Sequence, residues 1–394
     1  MVLQRGKVVQ AMDIVKEENI DLWITIGKET VMNSDPVIPL LSTTEFGSLT
    51  AILITNNSRN IALTGHLDFD GMKETKCFDE VRMYDKGFKD EFLKLLNEIK
   101  PKVIALNFSE DVASDGLSHG LYLRLTNYFE EFGFTGQIIS SEKVIGKLRG
   151  RKTSEELKRI KKATKATEMI LKECVGFIRE GVSELDIFNF CQSRIEELGY
   201  GYAWEKNHNP GVMVGHKGAS GHVGPSSEVF VEKGDLVTLD FGIKVDEYSS
   251  DIQRVYYIPN DGETSVPEEF TKGLKNMHEA IDAGIAKMRP GLSAYVPDSE
   301  ARRVLKEKGL PEFNFGFGHQ VGREAHDGGV MMGPLWERYL GIVEAPLEVG
   351  MVFTVDINIP FSKGKIGQED MAYIGEFETV LLSNRQNEIY FCKD

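Results

Sequence analysis

Residues 236–255 read LVTLDFGIKVDEYSSDIQRV, and this stretch decides how the chain is understood. Apolar and β-branched residues lead into Asp240, a polar turn runs from Lys244 to Tyr248, and a second strand-like run follows Asp251. A buried strand would normally carry valine or isoleucine where Asp240 stands, because a carboxylate loses its hydration there. Folded as a hairpin centred between Val245 and Asp246, the stretch sets Asp240 directly opposite Asp251, with Thr238 and Gln253 on the same face by alternation. Carboxylates so placed have Cβ atoms about 5 Å apart and repel unless positive charge lies between them. A divalent cation meets that need.

The pattern recurs at residues 350–370, GMVFTVDINIPFSKGKIGQED. Asp356 interrupts an apolar strand, and a turn centred on Ser362 and Lys363 brings Glu369 opposite it. Two such hairpins together offer a cluster of four carboxylates. A nitrogen donor is at hand in FGFGHQVGREAHDGG, where His319 and His326 lie among glycines that let backbone approach a site closely. Spacing alone does not say which of the two binds. His222, in the loop GHKGASGHVGPSS ahead of the Asp240 strand, is a further candidate. His208, His216 and His278 lack such a context and read as structural or solvated. The polar group His66, Asp68 and Asp70 in TGHLDFDGM reads as a solvated loop.

The 394 residues exceed what one hydrophobic core usually serves, and the apolar fraction of 41% suffices for two. A net charge of -15 disfavours nucleic acid and anionic membranes as partners. Cys77, Cys174, Cys191 and Cys392 have no metal-type spacing and are expected to be reduced thiols. Charges break every apolar window of the first residues, so a soluble, cytoplasmic protein is expected. Residues 1–148 alternate short strands with helices, an α/β pattern. From 149 to 394 the pattern changes to an α+β domain with an antiparallel sheet, opened by a long helix whose Thr153 and Glu156 have capping-box spacing. Later helices are expected at 184–198, 271–288 and 292–308. Strands are expected at 211–214, 236–242, 250–258, 351–359 and 376–382.

The ordered motifs LDFG, SDIQR, GHQVGREAH, GMVFTVD and QED resemble those of the pita-bread metallopeptidases. That family spans creatinase, aminopeptidase P, prolidase and methionine aminopeptidase. The likeness is closest to Xaa-Pro aminopeptidases and prolidases, which carry a creatinase-like N-terminal domain. The resemblance implies that Asp240, Asp251, His319, Asp356 and Glu369 are ligands of two divalent ions, manganese first, with cobalt, zinc or iron as alternatives. It implies that His222 and His326 contact substrate and the tetrahedral intermediate, and that Asp356 stands where a glutamate commonly also carries the proton. It further implies hydrolysis of short, proline-containing peptides through a metal-bridged hydroxide, and a homodimer. The sequence departs from the family at Asp356, one methylene shorter than glutamate, at Gln253 in place of threonine, at Gly367 in place of arginine, and at Asp327 in place of glutamate. Two other readings fit the same fold: a metal-independent creatinase-like hydrolase of a carbon–nitrogen bond, and a binding protein without catalysis.

Overall fold

The computed structural model describes residues 3–217 and 223–393. The chain divides into two compact units, Met1–Arg149 and Gly150–Asp394. No helix among the described residues is long and apolar enough to cross a membrane.

The first unit holds helices α1 (Leu3–Glu17), α2 (Ile38–Leu41), α3 (Phe69–Glu74), α4 (Phe88–Ile99), α5 (His119–Phe132) and α6 (Glu142–Gly150). Its strands are β1 (Leu22–Gly27), β2 (Thr50–Thr55), β3 (Asn60–Gly65), β4 (Glu80–Tyr84), β5 (Val103–Leu106) and β6 (Gln137–Ser140). They form one mixed sheet in the order β4-β3-β2-β1-β5-β6. β1 and β2 are buried at every position, because the sheet is covered on both faces. Trp23, Ile52 and Ala105 pack with Val8 of α1 and Ile145 of α6, while Ile24, Leu53 and Ile104 pack with Phe92 of α4 and Phe129 of α5. The α/β expectation for this part is met. Asp68 is not solvated as its loop suggested: its carboxylate is nearly buried and accepts the backbone N–H groups of Gly47 and Ser48.

The second unit opens with α7 (Ser154–Glu173), whose start carries the capping box read from Thr153 and Glu156. Helices α8 (Glu184–Glu197), α9 (Glu268–Lys287) and α10 (Tyr295–Glu307) follow. The short strands are β7 (Gly201–Tyr202), β10 (Ile243–Val245), β11 (Tyr248–Ser249), β13 (Gly318–His319) and β14 (Met331–Met332). The main sheet is built from β8 (Gly211–Val214), β9 (Leu236–Phe241), β12 (Ile252–Tyr257), β15 (Val352–Phe361) and β16 (Gly364–Ile374). Their order is β15-β16-β12-β9-β8, all antiparallel, with β17 (Thr379–Leu381) added to β16 and β18 (Tyr390–Phe391) to β12. β17 is shorter than the strand expected at 376–382.

One register expectation is corrected. Val245 pairs with Tyr248 and Asp240 with Gln253, so the first hairpin turns at Asp246 and Glu247, two residues out of step with a direct Asp240–Asp251 pairing. Both turn residues have positive φ, 49° and 69°, the signature of a two-residue turn whose twist matches its strands. The second hairpin has the expected register: Asp356 pairs with Glu369 and Phe361 with Gly364.

The two sides of the main sheet differ. Away from the carboxylates, Tyr256 donates to the Leu171 carbonyl of α7 at 2.6 Å, and His278 of α9 lies 3.5 Å from Gln368. On this covered side Arg254, only 2% exposed, donates to Asp370 at 2.9 Å and to the carbonyls of Glu369 and Asn384, joining β12 to β16 and to the segment after β17. Replacing Arg254 with methionine leaves buried Asp370 with the longer 3.5 Å contact to the Arg385 guanidinium as its cationic partner. We expect a loss of about 3 kcal/mol, measured by urea unfolding.

Candidate metal centre

One line of residues crosses the main sheet and forms the floor of the site. Gly211 pairs with Asp240, Asp240 with Gln253, Gln253 with Glu369, and Glu369 with Asp356. Residues paired directly across antiparallel strands share a face, so three carboxylates and one amide lie side by side on β9, β12, β16 and β15. Asp251, two residues before Gln253, falls on the same side. Although it does not pair with Asp240 in the ladder, its carboxyl lies near enough for the charge on Asp240 to raise its proton affinity. A slip of two residues preserves the face because the side-chain period is two.

His319 comes from β13, which runs beside β15. Gly318 makes that approach possible, since a Cβ there would fall 1.9 Å from the Thr354 carbonyl oxygen. The His319 N–H donates to Thr354 Oγ1 at 3.2 Å, and Asp356 N–H donates to the Phe317 carbonyl at 2.8 Å. His319 Nε2 lies 3.6 Å from Asp251 Oδ2 and 4.0 Å from Glu369 Oε1. Donor atoms of Asp251, His319 and Glu369 all lie within 4.8 Å of one another. His326 packs edge-on against His319 with ring centroids 4.2 Å apart. The geometry therefore separates the two histidines: His319 faces the carboxylates, and His326 stands beside it.

The electrostatics follow from crowding like charges in a dry place. Burial pushes the Asp240 carboxyl up to about 6. Burial, then Asp240 and Asp356, hold Asp251 well above the usual carboxylate range. Burial, then Asp240, does the same for Asp356, and burial, then Asp251, Asp356 and Asp240, for Glu369. Burial, then the neighbouring His326, depresses His319 to about 3, so its imidazole is neutral. Among the described residues no lysine or arginine pairs with any of the four carboxylates. Asp251 Oδ1 and Asp356 Oδ1 are buried without a hydrogen-bond partner. Buried acceptors with nothing to accept from are costly, and oxygen and imidazole donors converging on one point suit a divalent cation. The residues present thus fit a metal.

The positions at which the sequence departs from the family pattern have identifiable surroundings. Asp327 forms a buried ion pair with Lys152, Nζ to Oδ2 2.9 Å, and its N–H donates to the Gln320 carbonyl. The pair ties the residue after His326 to the approach to α7. Gln253 donates to Glu369 and accepts from Asn358. Sequence reasoning misses Lys152 and Asn358. Nothing local marks Lys152, whereas Asn358 was readable, because it lies two residues beyond Asp356 and so on the same face. His222 lies outside the described residues. His208 meets Glu205, His278 meets Gln368, and His216 meets the Ser362 carbonyl, so none of these three joins the carboxylate line.

Comparison with known proteins agrees with this arrangement. Residues 158–376 match the model of metallopeptidase family M24. The chain is 29% identical over 279 residues to an Xaa-Pro dipeptidase of Pyrococcus furiosus, covering 70% of this chain and 74% of that protein. It is 28% identical over 347 residues to an Xaa-Pro dipeptidase of Pyrococcus horikoshii, covering 86% and 87%. The crystal structure of an X-Pro aminopeptidase from Thermotoga maritima superposes with a TM-score of 0.72 at 27% identity, covering 95% of this chain and 99% of that one. The antiparallel sheet with its covering helices is accordingly the pita-bread fold, and the chain belongs to metallopeptidase family M24, a family of peptidase enzymes.

Proposed function

We propose that this protein is an exopeptidase that removes the N-terminal residue from short peptides, where proline follows the scissile bond. In this reading Asp240, Asp251, His319, Asp356 and Glu369 hold two divalent ions, manganese first, with cobalt, zinc or iron as alternatives. The observation that carries it is the convergence of the Asp251, His319 and Glu369 donor atoms beside two orphaned buried oxygens, Asp251 Oδ1 and Asp356 Oδ1. The proline preference rests on the named activities of the Pyrococcus and Thermotoga relatives. When bound, divalent ions supply Lewis acidity at the scissile carbonyl and acidify water enough to attack near neutral pH. The chain's own residues prepare for this. His319, kept neutral by burial, offers an imidazole lone pair. Asp356, with a raised proton affinity and a free Oδ1, is the group assigned to carry a proton. His326, packed edge-on against His319, and His222 are assigned to the substrate. The homodimer belongs to the same proposal by resemblance, and light scattering reads its mass directly.

Released amino acid from Xaa-Pro dipeptides and tripeptides in manganese or cobalt is the direct test. Asp240→Asn should lower kcat/KM by at least about 100-fold. Release that is absent with every metal, or unchanged in the variant, removes the proposal.

A second prediction concerns the metal-free protein. Asp240 binds its proton more tightly folded than unfolded, so its stabilising contribution is fully present below the ordinary value of 3.8 and is lost as pH rises through about 6. Asp251, Asp356 and Glu369 shift in the same direction. Asp35 in the first unit, pushed up to about 6 by burial, adds to the slope but should not respond to metal. The Tm of chelated protein should therefore fall from about pH 4 to about pH 7, the interval through which Asp240 and Asp35 lose their protons. Saturating manganese should restore most of the loss, by about 2.7 kcal/mol at a hundred times Kd. Scanning calorimetry with and without manganese measures both, and a metal-independent slope contradicts the assignment.

A further inference from the structure

Gln253 is the neutral member of the carboxylate line, and the structure gives its amide a defined orientation. Asn358 Nδ2 donates to Gln253 Oε1 at 3.1 Å, which leaves Gln253 Nε2 facing Glu369, where it donates to Oε2 at 3.1 Å. Gln253 is 5% exposed and Glu369 3%, so water does little to blur either bond. The other Glu369 oxygen, Oε1, is the one that faces His319 Nε2.

Room for this arrangement comes from β16. A Cβ on Gly367 would fall 2.5 Å from Gln253 Oε1, 2.7 Å from Thr238 Cγ2 and 3.0 Å from Asn358 Nδ2. Gly367 pairs with Asn358 across the hairpin and lies two residues from Glu369 on the same strand and side. Its backbone is not in the left-handed region, so the glycine is required by space rather than by conformation. Gln253, Asn358 and Gly367 therefore act as one unit: the long amide fills the volume that any side chain at 367 would need.

We infer that Gln253, braced by Asn358 and accommodated by Gly367, is a positioning residue that fixes the rotation of the Glu369 carboxylate, tying Oε2 and presenting Oε1 to the centre shared with Asp251 and His319. An uncharged donor suits this place. It orders one oxygen without cancelling the negative charge that attracts a cation. This inference rests on the reading of Glu369 as a metal ligand.

The test is manganese binding by calorimetry to the full-length, metal-stripped protein, together with a double-mutant cycle between positions 253 and 367. Gln253→Ser should weaken manganese binding about tenfold, and Asn358→Ala should weaken it in the same direction but less, in line with other groups that orient metal ligands. Gly367→Ala alone should also weaken binding, because its Cβ displaces the Gln253 amide. Added to Gln253→Ser it should cost less than it does alone, since the nearest group it would strike, the amide, is gone while Thr238 Cγ2 at 2.7 Å remains. A Kd in both Gln253→Ser and Asn358→Ala unchanged from the native chain, or effects at 253 and 367 that simply multiply, overturns the inference while leaving the metal assignment standing. If the native chain itself binds no manganese, the assignment of Glu369 fails and this inference fails with it. Asn358→Ala removes only a brace, so it supplies the answer if Gln253→Ser does not fold.

Discussion

Carboxylates paired on neighbouring strands repel across about 5 Å, and the main sheet of the C-terminal unit pairs Glu369 with Asp356 in this way, with Asp240 one strand further along the same line beyond Gln253, and Asp251 beside it. Burial and that repulsion together shape the site. The proton affinities of all four are raised, two of their oxygens have no partner, and the nearby imidazole is held neutral. A sheet built to maximise its own stability would not place these groups together. The arrangement is favourable when cations share the site, so the constraint on the fold and the chemistry of the site have a common origin.

The covered side of the sheet makes the carboxylate side tolerable. Arg254 and Asp370 are neighbours in sequence of Gln253 and Glu369, and they point the other way, into contact with each other and with backbone carbonyls. Each strand thus alternates a residue of the site with a residue that anchors the strand. The β13 strand adds His319 from a separate segment, admitted by a glycine where a side chain would collide with β15. Asp240, His319, Asp356 and Glu369 consequently sit on strands, and Asp251 immediately precedes one, which is what a centre needs if its geometry is to survive its own electrostatic strain.

Much of this was legible because strand periodicity tolerates a register error of two residues. The first hairpin turns at Asp246 and Glu247, and although aspartate is among the residues that accept positive φ, glutamate is not one that advertises such a turn. The resulting displacement of two residues changed the partner of Asp240 from Asp251 to Gln253 but not the face. The pairing of Asp356 with Glu369 follows from sequence once a turn centre at Ser362 and Lys363 is assumed, and the ladder has that register. What could not be read was any relation between distant departures from the family pattern. Gln253 and Gly367 look independent in sequence, yet the amide of one occupies the space the other leaves empty. Asp327 looks like a shortened side chain, yet Lys152 reaches it from far along the chain.

The sequence by itself determined which residue types interrupt the apolar strands, that they recur in two hairpins, and that a pair of histidines lies between those hairpins; period-two alternation and charge are properties of the chain. Tertiary structure alone decided that β12 lies beside β16, which joins the two acidic hairpins into one line. It also decided that His319 rather than His326 faces the carboxylates, and that Glu369 is held by a neutral amide. Those outcomes depend on which strands become neighbours and on how much volume each side chain finds there, quantities that no local pattern contains.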